Sequence, residues 1–204
     1  MPLLFAFDLD DVLYAYDWRL RMSRLSTAIG MDVAEMRRRW WHMDGEGAAE
    51  TGKWPTPESY LAAATEALGV TISPAEWLGI RGSAMTPLPE SIAAASRAAE
   101  LGHMTLLTNN GALIGAALPE LAPDIVPLFG VENLRATAYY GARKPDPVVF
   151  ERLLLAYDAP PRHTFFADDR LENVEAAASV GITAHHFRNA DGLLSAIEAF
   201  AAAH

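Results

Sequence analysis

The chain has 204 residues, 51% of them hydrophobic and 21% charged, enough for one globular domain or a core domain with a smaller insertion. A formal charge of −10 and a pI near 5.0 argue against a nucleic-acid-binding surface, which needs a net positive stripe. The absence of cysteine excludes a disulfide framework, a thiolate metal site and a cysteine nucleophile, and is compatible with the cytoplasm. The same excess of carboxylates would repel a phosphorylated ligand, so any phosphate site here should contain a divalent ion and local cations.

The first predicted element is Leu3 to Leu9, a continuous apolar run ending in acids, as expected of a strand covered on both faces of a parallel sheet. It lacks a basic leading region and falls far short of the roughly 20 apolar residues of a membrane span, so a buried strand is expected and not a secretory signal. A run of helices follows. Trp18, Met22, Leu25 and Ile29 form one apolar stripe, Val33, Met36 and Trp40 another, and further helices are predicted near Pro57–Leu68 and Pro74–Ala84.

From Pro89 onward helix and strand alternate. Pro89 to Leu101 opens on Pro-Glu and stops at Gly102, the start and stop signals of a helix. Strands are expected at Met104–Thr108, His163–Ala167 and Ile182–Phe187, with a weaker candidate at Pro127–Val131. Helices are expected over Pro145–Tyr157, where Phe150, Leu153, Leu154 and Tyr157 share a face, and over Asn173–Val180 and Asp191–Ala203. This alternation predicts an α/β fold, a Rossmann-like doubly wound parallel sheet with a helical insertion after the first strand. Ligands in such sheets bind beyond the carboxyl ends of the strands.

Four segments at those strand ends carry chemistry. Asp8-Leu9-Asp10 places two carboxylates on one side of an extended chain, where they need a cation or a shared proton; an acidic turn capping the next segment is the alternative. Thr108-Asn109-Asn110-Gly111 offers a hydroxyl and a turn whose N–H groups suit phosphate oxygens. Lys144 stands just ahead of a helix, and Asp168-Asp169 forms a second acidic pair with Asn173 four residues beyond Asp169. Singly these are ordinary turn and cap residues, but acid pair, hydroxyl, lysine and acid pair on successive strand ends make a metal and phosphate site.

This ordered set resembles the haloacid dehalogenase-like hydrolase superfamily, with Asp8-x-Asp10, Thr108, Lys144 and Asp168-Asp169 with Asn173 as its four motifs. The helical segment at about residues 15–85 resembles that family's C1-type cap, leaving 1–14 and 86–204 as the Rossmann-like core. The resemblance implies a phosphatase in which Asp8 attacks phosphorus to form an aspartyl-phosphate. Asp10 would protonate the leaving oxygen and then deprotonate water. Thr108, Asn109 and Lys144 would bind the phosphate. Mg²⁺ would be held by Asp8, the backbone carbonyl of Asp10 and Asp169, with Asp168 as a further ligand or behind them. Two departures stand out: Asp11 replaces the glycine, and Asn173 the aspartate, of many relatives.

Asp10 also favours phosphoryl chemistry over carbon–halogen cleavage, because a departing halide needs no proton. A sugar phosphomutase is the first alternative, and a 2-haloacid dehalogenase or a non-catalytic phosphometabolite-binding protein stands further off. In the insertion, Trp41, His42 and Glu46 are candidates for reading the leaving group, against the alternative that the tryptophans pack the insertion's own core. His185 and His186 are expected to be ordinary strand-end residues. The expected partner is a small phosphorylated metabolite, with a hexose phosphate as the leading example, with no nucleic acid and no membrane. The chain is expected to act as a monomer or homodimer.

Overall fold

The structure is a computed structural model that describes residues 2–204. Its central sheet is parallel, with strand order β4-β1-β5-β6: β1 is Leu3–Phe7, β4 Gly102–Leu106, β5 Thr164–Asp168 and β6 Thr183–His186. Side chains of β1 alternate between two apolar layers. Phe5 and Phe7 join one cluster with Phe165 and Ala167, whereas Ala6 faces Leu107, Phe150 and Phe166 in the other. Helices α6 (Pro89–Leu101) and α11 (Ala190–Ala202) cover the first face, and α9 (Pro147–Ala156) and α10 (Leu171–Ser179) the second. Both faces of the sheet are therefore buried, as the continuous apolar runs require. Each fully buried Phe or Leu contributes about 1.5–3 kcal/mol through lost water contact.

Two elements differ from expectation. Pro127–Val131 is no strand: Val126–Phe129 forms the short helix α8, and the edge beyond β4 carries only an isolated bridge between Thr108 and Ala136. Proline at the second helical position and Gly130 (φ 71°) as its stop explain the turn of helix. Trp18 does not share the buried stripe of α1 (Trp18–Ile29); it is 36% exposed, and Arg21 turns inward with Met22, Leu25 and Ile29.

The insertion leaves the core through β2 (Tyr14–Tyr16) and returns through β3 (Met85–Pro87), which pair antiparallel at its base. Between them run α1, α2 (Val33–Arg39), α3 (Glu46–Glu50), α4 (Pro57–Leu68) and α5 (Pro74–Gly82). Their starts are written locally. Asp17 accepts the Leu20 N–H at 2.8 Å, and Thr56 and Ser59 form a capping box around Pro57. The helices close on aromatic rings: Trp40 lies edge-on to Tyr60, Tyr60 edge-on to Trp77, and Trp77 stacks on Trp41 at 5.9 Å. The helices α4 and α5 pack on α7 (Ala112–Leu121), so one apolar cluster runs from the insertion into the core. Among the described residues no single helix is long and apolar enough to cross a membrane.

Candidate active site

Because β1, β4 and β5 are parallel and in register, their carboxyl ends lie side by side. Asp8 follows β1, Thr108 lies just past β4 and Asp168 ends β5. A cleft of about 320 Å³ opens above them, with Asp8, Asp10, Thr108, Asn109, Lys144 and Asp169 in its lining. Lys144 is 1% exposed, and its Nζ sits 2.9 Å from Asp8 Oδ1 and 2.7 Å from Asp168 Oδ2. Asp8 Oδ1 also accepts the Leu9 N–H at 2.8 Å, while Oδ2 makes no hydrogen bond among the described residues. One oxygen is thus fixed and the other remains available for chemistry.

Burial pushes the Asp8 carboxyl up to about 8 despite the opposing charge of Lys144, with Asp168 and Asp10 adding to the rise. Burial works against the Lys144 charge too, but Asp8 and Asp168 outweigh it and raise the ammonium above its ordinary value.

Asp10 has its own counterion. Arg81, at the end of α5 and 0% exposed, donates from Nη2 to both Asp10 oxygens at 2.6 and 2.8 Å. The guanidinium lies over the Tyr16 ring, 3.8 Å from its centroid. The two carboxylates of the first motif therefore do not depend on one shared cation: the core supplies Lys144 to one, and the insertion supplies Arg81 to the other. Arg81 lies 71 residues away from Asp10, and no local pattern marks it. Asp11 adopts φ 59°, the left-handed turn for which glycine is the usual residue, and its carboxylate accepts the Tyr16 N–H at 3.0 Å. Aspartate tolerates that backbone better than most side chains, and its hydrogen bond ties the turn to the first insertion strand.

On the β4 side of the cleft, Thr108 is 1% exposed and its hydroxyl accepts from Asn110 Nδ2 at 2.9 Å. Asn109 uses its side chain differently: Nδ2 donates to the Lys144 carbonyl (2.9 Å), and Oδ1 accepts the Lys144 N–H (3.0 Å). That pair locks the lysine loop to the end of β4. The backbone N–H groups of Asn109 and Asn110 make no hydrogen bond among the described residues, which leaves them open to an anion.

Ligand oxygens of Asp8, Asp168 and Asp169 lie within 4.8 Å of one another. Asp168 is fully buried and saturated, accepting from Lys144, from the Arg170 N–H at 2.9 Å and from Asn173 Nδ2 at 2.9 and 3.0 Å. Asn173 thus serves as a donor, which an aspartate could not do when ionised. Asp169 is half-buried; burial and the charges of Asp168 and Asp11 push its carboxyl up. Its carbonyl contacts His186 Nε2 at 2.8 Å, so the second histidine of the pair braces the acidic loop. Three carboxylates share one lysine here, a deficit of positive charge that a hard divalent cation with oxygen ligands fits.

The insertion forms the opposite wall. Trp41 and Glu46 border the cleft, but His42 does not; it lies with Met43 on an adjoining shallow surface on the far side of Trp41 and Glu46. Gly45 is obligatory in this turn, since a Cβ there would stand 2.1 Å from the Trp40 carbonyl oxygen. The tight turn lets Glu46 Oε2 accept from Trp40 Nε1 (2.6 Å) and the Tyr60 hydroxyl (2.7 Å). Glu50 meets Arg143 at 2.5 Å in an ionic contact whose angle is not that of a hydrogen bond, and burial pushes its carboxyl up to about 7.

A parallel sheet with an acidic edge, a buried lysine and a helical insertion along the cleft defines a Rossmann-like α/β protein. Residues 3–181 match the haloacid dehalogenase-like hydrolase family, and the chain belongs to it.

Similar folds include the HAD family enzyme bt-2542 from Bacteroides thetaiotaomicron, solved with magnesium and inorganic phosphate. It is 20% identical with a TM-score of 0.73, over 91% of this chain and 93% of that one. A predicted HAD-like hydrolase from Porphyromonas gingivalis is also 20% identical (TM-score 0.72, 91% and 90% coverage). A 2-haloacid dehalogenase from Pseudomonas syringae is 16% identical (TM-score 0.61, 90% and 85% coverage). In sequence, 67 residues are 39% identical to a sesquiterpene phosphatase of Aspergillus oryzae; the matched stretch spans 33% of this chain and 33% of that relative.

Proposed function

We propose that the protein is a Mg²⁺-dependent phosphatase that hydrolyses a small phosphorylated metabolite through an aspartyl-phosphate on Asp8. The observation that carries this reading is the state of Asp8: Lys144 and the Leu9 N–H hold one oxygen, and the other is unengaged in the cleft. Mg²⁺ would be held by Asp8, the Asp10 carbonyl and Asp169, with Asp168 orienting Lys144 behind them. When bound, it would offset the crowded carboxylates and stabilise the charge that builds on the phosphoryl oxygens.

The residues of the chain then divide the work. The Asp8 oxygen forms a bond to phosphorus as the bond from phosphorus to the ester oxygen breaks, and Asp10, held by Arg81 through one oxygen and protonated on the other, gives that proton to the departing oxygen. The Asp10 carboxylate next takes a proton from water, whose oxygen displaces Asp8 and releases inorganic phosphate. Thr108, Lys144 and the Asn109 and Asn110 N–H groups hold the phosphoryl oxygens, while Asn109 keeps Lys144 in place. Residues 15–85 act as a cap that covers the site, with Trp41 and Glu46 facing the leaving group. The reading extends to a cytoplasmic enzyme, a monomer or homodimer, with a sugar phosphate among its candidate substrates.

The similarity to a sesquiterpene phosphatase supports phosphate-ester chemistry, and the fold shared with 2-haloacid dehalogenases leaves carbon–halogen cleavage as the second reading. Asp10 separates them, because only an alkoxide leaving group needs its proton. A panel of phosphate monoesters and 2-haloacids, assayed with and without Mg²⁺, tests this. Phosphate release that chelation abolishes is expected; halide release without phosphate release would overturn the reading.

Arg81 gives a sharper expectation. If it positions Asp10 for proton transfer, Arg81→Gln should lower kcat on alkyl phosphates about 10²-fold, within the range of general acid catalysis. The loss on p-nitrophenyl phosphate, whose leaving group departs without a proton, should be several-fold smaller. Equal losses on both would assign Arg81 a purely structural part.

A further inference from the structure

Arg21 is buried in the insertion at 6% exposure, yet it borders the cleft that contains Asp8 and Lys144. Its Nη1 donates to the Tyr16 hydroxyl at 3.0 Å; its Nη2 is buried with no hydrogen-bond partner. Among the described residues it forms no salt bridge; the buried Glu46 carboxylate acts on its charge from beyond contact distance, and the guanidinium lies 5.9 Å from the Trp41 ring centroid.

Neither acid of the same wall reaches Arg21 in a salt bridge: Glu50 holds Arg143, and Glu46 Oε2 is taken by Trp40 and Tyr60. A buried guanidinium with one amino group unpartnered and no carboxylate in contact is costly, and a leucine or methionine would pack there without that cost. The missing partner is most simply an anion that enters with the substrate, since arginine's planar donor fork suits carboxylate and phosphate oxygens.

We propose that Arg21 binds a second anionic group on the leaving portion of the substrate, a carboxylate or a second phosphate, so that the enzyme's substrates are phosphate esters of acidic metabolites. This rests on the phosphatase reading and narrows it. A neutral hexose would leave Arg21 without an anion in contact, whereas an acidic leaving group brings one with it. The anion lies on the insertion side of the cleft and the transferring phosphate on the Lys144 side, so one substrate is read at both ends.

Binding to the Asp8→Asn protein, measured by calorimetry with Mg²⁺ present, separates recognition from turnover. The probes are phosphoglycolate (carboxylate), fructose 1,6-bisphosphate (second phosphate), and ethyl phosphate and glucose 6-phosphate (neutral leaving groups). At least one acidic probe should bind tenfold or more tightly than both neutral ones, and which one it is identifies the anion. Arg21→Gln in that background should erase the difference, and Arg21→Lys should keep part of it.

Equal affinity for all four probes would overturn the proposal, as would a preference that survives Arg21→Gln. The comparison among probes stands even if the Arg21 variants fold poorly. Hydrolysis of p-nitrophenyl phosphate by the wild-type protein is the separate check: its absence sinks the phosphatase reading, whereas its presence without an acidic preference sinks only the Arg21 subsite.

Discussion

Asp8→Asn is expected to abolish turnover, by about 10⁴-fold or more, while the protein folds as the wild type does. The amide keeps the volume and can still accept the Leu9 N–H, but it has no carboxylate oxygen to attack phosphorus. Stability should change by no more than about 1 kcal/mol, because the amide keeps the Leu9 N–H bond and Lys144 keeps Asp168 as its counterion. Circular dichroism and thermal denaturation check the fold, and phosphate release from the best ester of the panel checks the chemistry. Full activity in a folded variant would remove Asp8 from the mechanism.

Lys144→Met should damage both stability and activity. The lysine is 1% exposed and is the cation between Asp8 and Asp168, so its removal leaves two buried carboxylates facing each other without compensation. Breaking a buried pair in this way costs about 3–5 kcal/mol. In a chain of this size that lowers the thermal midpoint by roughly 10 °C. Phosphate release should fall by about 10²–10³-fold through the loss of a preorganised positive charge. A second substitution, Asp168→Asn, should restore part of the stability but not the activity, since it removes the repulsion and leaves the phosphate without its lysine. A variant with an unchanged midpoint and near-normal turnover would show that Lys144 is not the charge that holds the site together.

Much of the core was legible because its signals are local. The apolar runs of β1, β4 and β5 mark strands buried on both faces, and Pro89 with Gly102 brackets α6. The segment Pro127–Val131 misled because an apolar run of that length fits strand or helix equally. Pro127 near its start and Gly130 at its stop decided for helix. Trp18 misled for a related reason: helical spacing identifies a face, but the two ends of a stripe can leave the core, and here Arg21 took the inward place.

By itself, the sequence determined the acidic strand ends, the lysine and the turn hydroxyl, because parallel strands bring their carboxyl ends to one edge whatever the intervening chain does. It also determined that the insertion is helical, through caps and apolar spacing written within a few residues. Only the tertiary structure decided which charge meets which. Arg81 reaches Asp10 across 71 residues, Asn109 locks Lys144 across 35, and Arg21 lies buried beside the cleft with its Nη2 unpartnered. Hydrogen bonds and ion pairs between distant residues leave no periodic trace in the chain, since they depend on how the insertion packs on the core and not on the spacing of its residues.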